Sequence, residues 1–588
     1  MLTGLDWLMI AGYFGLLAGV VVFTMMRRKI RSGEDLFLGG RSVGWLAIGA
    51  SIFAANIGSE HLIGLAGSGA AYGMSLSHLE FHSFIVIMMC WIFLPFYYKS
   101  GVSTMPEFLE RRFGAKARWI LSLVSLAAYV LTKISVTVFA GALFFEVMMP
   151  EVSLTIGGTT IGSFWIGAVA TVLLAGVYSS IGGLSAVVYT DLVQTGIILV
   201  GTLCVTGFAL YHLGHSGVAL PDGTGASSVM DGWAVLKATI KSTGNVETFG
   251  LWHSLSHKTF PWLGLIVAST TIGVWYWCTD QFIVQRTLAA KDLRNARRGA
   301  IWGAALKLMP VFLFLVPGML GFALHHNHIV VNGAAFAIPL KEGGAINGDA
   351  VFPTLVQSLL PVGFRGLVVA GMIAALMSSL ASLFNSVSAL FTVDVYQKLR
   401  PETPARRLVT IGRTTTVVMT ALGLLWLPIM KAISGGGLYQ YIQSVQSFLA
   451  PPIVAVFVTG LVWKRMNLRG AVWGLGLGFV LGMTKLTLNA LCPGAEGYAL
   501  VQDFYFSGLL LVMSVLVIVA ASLTAPAPEP QRIVSLTFAT LGEDFKAENR
   551  ASWTWVDVVT SGLVLAVVVG CYVYFWNWLG LGPLNLNL

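Results

Sequence analysis

Roughly fourteen apolar runs, each about 20 residues or longer, divide the 588 residues of this chain. A run of that length crosses the hydrocarbon core of a bilayer as a helix. The runs fall at about 5–26, 44–72, 79–98, 118–147, 162–181, 187–211, 263–283, 299–324, 363–396, 408–432, 439–462, 468–487, 505–524 and 556–578. Inside lipid every backbone N–H and C=O must be bonded within the protein, so such runs form helices. With 56% hydrophobic and 10% charged residues, most of the chain lies in the membrane as one large helical domain. The fold class is all-α and polytopic.

A net charge of +9 could suggest nucleic acid as a partner. The basic residues are instead collected between alternate spans. Arg27 to Arg31, Lys99 to Arg118, Arg286 to Arg298, Lys398 to Arg413, Lys464 to Arg469 and Arg532 to Arg550 all fall on one side. That side holds about 26 of the 35 Lys and Arg, against about six opposite, and the positive-inside rule makes it cytoplasmic. The partner this charge serves is the lipid bilayer and not nucleic acid. An even number of spans then leaves both termini outside the plasma (cell inner) membrane. No basic segment precedes residues 7–26 and RRKIR follows them, so they read as a first transmembrane helix and not as a signal peptide. Cys90, Cys204, Cys278, Cys492 and Cys571 are scattered without metal or disulfide spacing and read as buried thiols. Two longer loops, 212–262 and 325–362, are lids or connectors, and 525–555, opening with TAPAPEPQR, reads as a polar linker.

One span is unlike a lipid-facing helix. Between residues 49 and 83, Gly58, Gly64, Gly67, Gly69 and Gly73 loosen the helix, while Asn56, Ser59, Glu60 and His61 place polar groups in mid-span. An interrupted helix lining a binding cavity explains this pattern. A counterpart lies five helices later in STTIGVWYWCTDQ (269–281), with Gly273 in mid-span beside polar and aromatic residues. Paired interrupted spans point to an inverted-repeat transporter.

Ionisable groups at membrane depth cost about 2.5–3.5 kcal/mol each on insertion scales, so each needs a reason. Glu80 is either an interfacial carboxylate or an acceptor for substrate hydroxyls. Lys307 lies too deep for easy snorkelling and should face a carboxylate or a wet cavity. Lys133 is either similar or a structural partner, and Lys485 is expected to snorkel at an outer end. Asp191 and Asp280 line an ion path or anchor helices. In AALMSSLASLFNSVS (374–388), Ala375, Ser378 and Ser379 share one helix face. Their hydroxyls can serve a bare cation or simply pack helices, and spacing leaves both readings open. Trp275, Tyr276 and Trp277 offer ring faces for stacking. Gln443 adds an amide within a span, and Pro451 and Pro452 bend it. His325, His326 and His328 fit a polar span end better than a metal site. Nothing resembles a catalytic centre, which excludes an enzyme.

At NIGSEHLIGLAGSGAAYG, TMPEFLERRFG, GGLSAVVYTDLVQTGIIL, YWCTDQFIVQR, AALMSSLASLFNSVSALFTVDVY and YIQSVQSFLAPPI, the sequence resembles the sodium/glucose cotransporters of the sodium–solute symporter family. The similarity runs over most of residues 1–485. It implies a LeuT-type 5+5 inverted-repeat core with one extra N-terminal and three extra C-terminal helices. On that scheme 1–43 holds the first helix and a cytoplasmic loop, 44–211 the first repeat, 212–262 an extracellular loop, 263–464 the second repeat and 465–588 the last helices.

The resemblance also implies roles, residue by residue. Asn56, His61, Glu80, Lys307 and Gln443 match positions that bond sugar hydroxyls, and Ser83 matches one that does so in some bacterial members. Tyr276 matches an inner-gate aromatic that stacks on the sugar, with Trp277 beside it. The sodium ion would be held by the carbonyls of Ala54, Ile57 and Ala375 and the hydroxyls of Ser378 and Ser379, with Asp191 acting in ion exit or coupling. There are departures. Gly273 stands where sugar-transporting relatives tend to carry a hydrogen-bonding side chain, and Phe81 and His82 replace the usual Trp and polar residue. Ala381 replaces a hydroxyl of the two-sodium members, which favours one sodium per sugar. The expected function is sodium-coupled import of a neutral hexose, glucose or galactose, by alternating access. Symport of myo-inositol or a sugar acid, and a sugar sensor or uniporter, are the alternatives.

Overall fold

The computed structural model describes residues 2–27, 33–58, 60–341, 344, 346–433, 438–491 and 502–580; Ser59, Arg28 to Arg31 and Cys492 lie outside them. Among the described residues twelve helices are long and apolar enough to cross a membrane, and a bent pair makes a thirteenth span. In chain order they begin with α1 (Gly4–Met26), the bent pair α2 (Trp45–Asn56) and α3 (Glu60–Tyr72), α4 (Ser75–Ser100) and α5 (Ala115–Met148). A shorter apolar helix, α6 (Ser163–Gly176), runs on into α7 (Gly183–Gly214). The joint is Gly183, whose φ of 57° and ψ of −170° suit glycine alone. Then come α8 (Trp262–Thr279), the short α9 (Gln281–Leu288), α10 (Leu293–His326), α11 (Phe364–Leu399) and α12 (Ala405–Ile433). The chain ends with α13 (Leu438–Val462), α14 (Leu468–Leu491), α15 (Asp503–Leu523) and α16 (Trp555–Trp576).

The interruption expected near Asn56 is present. Helix α2 ends at Asn56, α3 restarts at Glu60, and the two axes differ by 59°. The Gly58 N–H would reach the Ala54 carbonyl if the helix continued, but it donates to that of Asn56 at 3.0 Å, so the turn closes and Ala54 loses its helical partner. The second interruption also falls within 269–281, but not at Gly273. That residue is helical, with φ −62° and ψ −43°. The break falls at Asp280, where the backbone is extended and the carboxylate accepts the Phe282 N–H at 3.1 Å to start α9. Gly273 serves close packing instead, since a Cβ there would lie 2.2 Å from Ile85 Cδ1.

Close packing also fixes the broken helix. A Cβ on Gly69 would sit 2.2 Å from the Leu315 carbonyl oxygen, and one on Gly318 would sit 1.9 Å from that of Ala66. Two glycines thus let α3 and α10 approach to backbone contact, which replaces the hydrophobic drive that lipid does not supply.

Two other expectations are corrected. Lys485 does not snorkel: it is buried with its Nζ 3.5 Å from Asp503 Oδ1 on the next helix, a partner within reach that water would otherwise have to be. The 525–555 segment is not a free linker but a folded strap with a helix at Glu543–Ala551. Phe538 and Phe545 pack on Phe96 of α4, with ring centroids 5.1 and 5.2 Å apart. Arg297 of α10 donates to Asn549 Oδ1 and Ser552 Oγ, both at 2.8 Å. The Pro-rich opening conceals two aromatic anchors. The loops 212–262 and 325–362 carry short helices of their own, Asp231–Ser242 and Val351–Leu359.

Gly318→Val should drive α3 off α10 and cost about 1–3 kcal/mol, read as a lower melting temperature of the purified protein. Gly19→Val is the control, since a Cβ there meets nothing within 4 Å and the melting temperature should stay unchanged.

Candidate substrate and sodium sites

Most of the polar side chains at the centre of the molecule are delivered by joints in helices. Asn56 ends α2. Glu60 and His61 lie in a π-helical turn over Glu60–Leu65, and Tyr276 and Trp277 in another over Val274–Thr279. Such turns widen the helix and swing side chains toward a site that a regular helix would not face. Glu80 and His82 stand between a 3₁₀ turn, Ser75–Leu79, and the α-helix that resumes at Ser83. Lys307 follows the helical stretch Leu293–Leu306 and precedes Pro310, which cannot donate a hydrogen bond. Tyr439 and Gln443 occupy the first turns of α13.

These joints meet around one cavity of about 40 Å³, room for a few water molecules. Asn56, His61, Glu80, Tyr276, Trp277, Lys307 and Gln443 all line it. Ser83 does not line it, although its Oγ is buried nearby on α4 without a hydrogen-bond partner. Glu60, one of the mid-span polar groups read from the sequence, also lines the cavity, as do His82, Tyr439 and Gln446, which were not singled out for it. Tyr439 at a span start reads as an interfacial anchor. Only a carboxylate in need of a donor, Glu80, gave a signal that could have found it.

Glu80 is the hub. Lys307 Nζ donates to its Oε2 at 2.5 Å, and the Tyr439 hydroxyl donates to its Oε1. Both ions are 2% exposed, so the pair substitutes for the water each has lost. His61 Nε2 lies 3.3 Å from the same carboxylate but is misaligned for a hydrogen bond. Both ring nitrogens of His61, Asn56 Oδ1 and Gln443 Oε1 are buried and without partners. Buried polar atoms are nearly always bonded, so orphans gathered at one cavity mark groups that await a ligand. Asn56 Nδ2 reaches the Tyr276 hydroxyl at 3.4 Å, too long for a strong bond.

Beneath Tyr276 lies Lys133, carried by a π-helical turn over Tyr129–Ile134. Its ammonium pairs with Asp280 and sits 4.6 Å from the ring centre of Tyr276, 4.5 Å from Phe282 and 5.1 Å from Tyr129 and Trp275. Lys133 is therefore a structural partner: it closes the floor by ion pairing and cation–π contact.

Of the expected cation ligands, Ala54 lies in the last turn of α2 and Ile57 just beyond its end, while Ala375, Ser378 and Ser379 lie in α11. Ser378 and Ser379 are buried in α11, which packs on α2, and the Ser379 Oγ has no partner. The fully buried Asp191 of α7 joins the two helices. It accepts from the Ser51 hydroxyl of α2 at 2.5 Å and from the Ser378 hydroxyl of α11. With its proton given to Asp191, the Ser378 oxygen keeps lone pairs for another partner. The Ala54 carbonyl freed at the end of α2, the orphaned Ser379 Oγ and this oriented Ser378 suit a small hard cation, which takes oxygen ligands. Arg286 donates to Ser51 O and Oγ at 3.1 and 3.0 Å and steadies the same corner. Ala381, from which a single-ion stoichiometry was expected, has its carbonyl bonded by the Ser179 hydroxyl at 3.0 Å.

The sequence model of the sodium:solute symporter family matches residues 36–478. The chain belongs to the sodium:solute symporter family. Among relatives, the sodium/glucose cotransporter 2 of Rattus norvegicus is 39% identical over 89% of this chain and 79% of its own. The sodium/glucose cotransporter 1 of Oryctolagus cuniculus is 37% identical over 88% and 78%. The sodium/myo-inositol cotransporter 2 of Sus scrofa is 36% identical over 89% and 77%. A sodium-coupled sialic acid symporter, solved in a substrate-bound outward-open state, superposes with a TM-score of 0.68 at 20% identity, covering 90% of this chain and 99% of that one. The fold is the LeuT-type inverted-repeat arrangement that the motifs imply. The protein is a multi-pass secondary transporter and not an enzyme, and its family couples transport to sodium.

Lys307→Met would leave Glu80 buried and unpaired, at a cost of about 3–5 kcal/mol. The expected result is a clear fall in melting temperature, most of it recovered when Glu80→Gln is added; equal stability of single variant and wild type would contradict the pairing.

Proposed function

We propose that this symporter imports a neutral hexose, glucose or galactose, with one sodium ion per sugar by alternating access. The observation that carries the reading is the set of orphaned donors and acceptors on Asn56, His61 and Gln443 around the Glu80–Lys307 pair. A sugar offers several hydroxyls, each both donor and acceptor, and such a group answers either kind of orphan. Glu80 and Lys307 bond hydroxyls without separating, Ser83 would add a further oxygen only once the cavity widens to reach it, and Tyr276 and Trp277 supply apolar surface for the ring. A sugar acid fits less well, because Lys307 is already neutralised by Glu80 and Glu60 lies on the same wall. Myo-inositol has the same hydroxyl chemistry, and the myo-inositol cotransporter relatives favour it as the second reading.

Sodium would bind where Ala54, Ile57, Ala375, Ser378 and Ser379 supply oxygen, with Asp191 turning Ser378 toward it and drawing the cation in. Holding α2 to α11 there favours the form open to sugar, and coupling rests on different affinities in the two states. Residues 44–211 and 263–464 would be the two repeats, with both termini extracytoplasmic and the membrane that of the cell surface. The cavity must widen to admit a hexose, and movement of Tyr276 over Lys133 opens it inward. One sodium ion falling through about 100 mV and a tenfold gradient supplies about 3.7 kcal/mol, a few hundred-fold accumulation.

In proteoliposomes, labelled glucose or galactose should accumulate above equilibrium with an inward sodium gradient and only equilibrate without it. Accumulation of myo-inositol alone selects the second reading, and equilibration unaffected by sodium rejects symport. Ser379→Ala should raise the sodium concentration for half-maximal uptake by about tenfold, the effect of losing one ligand; an unmoved sodium dependence removes Ser379 from the site. Tyr276→Ala should impair transport more than it harms membrane insertion; normal uptake would reject the gate assignment.

A further inference from the structure

One wall of the cavity is built by a residue that none of the expected roles uses. His82 lies at the joint that opens α4, 5% exposed, with its ring against α8. The space it fills is the one a side chain at residue 273 would take. A Cβ built on Gly273 would stand 3.2 Å from both His82 Nδ1 and Cε1. Histidine and glycine thus share a single volume, and the polar group is supplied from α4 in place of α8.

The bonds around His82 fix which nitrogen carries the proton. The Ser269 hydroxyl has one hydrogen, and it goes to the His78 carbonyl oxygen at 2.6 Å, which can only accept. The contact of 2.8 Å between Ser269 Oγ and His82 Nε2 must then be made by an imidazole N–H. His82 Nδ1 is left as a lone pair, 3.4 Å from the indole N–H of Trp277. That distance is beyond the 2.7–3.2 Å of an ordinary hydrogen bond, so the acceptor and donor are poorly served by each other. Both residues line the cavity.

We propose that His82 and Trp277 together read one hydroxyl group of the transported solute, His82 Nδ1 accepting its hydrogen and the Trp277 N–H bonding its oxygen. A hydroxyl entering between them exchanges one long contact for two ordinary ones. A carbonyl or ether oxygen answers only Trp277, and an ammonium answers only His82, so the pair selects for a hydroxyl. This makes both residues specificity determinants, and it rests on the reading of the protein as a sugar or polyol symporter.

The test is competition against labelled glucose, galactose or myo-inositol, whichever the wild-type protein accumulates, by each monodeoxy analogue of that compound. One analogue should compete about tenfold less well than the parent through loss of this contact. In His82→Phe, and separately in Trp277→Phe, that penalty should shrink to about twofold or less, while the penalties of the other analogues stay as they were. His82→Gln keeps an acceptor and should retain part of the discrimination. Unchanged penalties at every position in both Phe variants overturn the assignment, and Trp277→Phe, which removes the N–H with part of the ring but keeps an aromatic face, decides the matter if His82→Phe does not fold. Failure of the wild type to accumulate any of the three parents overturns the symport reading itself, a result distinct from an unchanged profile.

Discussion

Two opposite charges held together at membrane depth decide the shape of this site. Neither Glu80 nor Lys307 could stay ionised there alone, since desolvation of either costs several kcal/mol. Their contact is therefore a constraint on five segments at once: the joint that opens α4, the break in α10, the π-helical turns that bring His61 and Trp277, and the start of α13 with Tyr439. In four of the five segments an irregular turn aims the side chain at the cavity, and only α13 brings its tyrosine from a regular helix. Irregular backbone is tolerated at this depth because it faces the polar cavity and not lipid.

The same logic separates what bonds within the protein from what does not. Lys133 and Asp280 answer each other and are enclosed by rings, so they form a floor. Asp191 is answered by two serines and an arginine's neighbourhood, so it forms a hinge between α2 and α11. Among the buried polar atoms left without a partner, those of Asn56, His61 and Gln443 stand apart by gathering at one cavity, and that of Ser379 by its place beside the Asp191-bonded Ser378.

Much of this was legible from residue order. The long apolar runs, their charge asymmetry and the glycines around Asn56 led to the polytopic fold and its first broken helix, and the deep polar residues with the aromatic run at 275–277 led to eight of the cavity's side chains. What stayed hidden depended on contacts between distant segments. Gly273 looked like a break because glycine loosens helices, whereas its use is to admit Ile85 and His82. The break at Asp280 had a readable sign, an acidic N-cap before QFIVQR, masked by the aromatic run ahead of it. Tyr439 and the anchors of the 525–555 strap gave no sign, because an aromatic near a span end or in a Pro-rich segment is ordinary. The site's roles were reached through motif likeness and not from spacing, which left serine pairs ambiguous between ion and packing.

The strap at 525–555 has a mechanical consequence. Its helix and the last span α16 are fastened to α4 and α10, through Phe96 and Lys99 on one and Arg294 and Arg297 on the other, and α16 packs on both. Any tilt of those two helices then drags α16 along, and α16 is largely bathed in lipid. A cycle that tilts α4 and α10 would thus shear the acyl chains around α16 and feel the viscosity of the bilayer as friction.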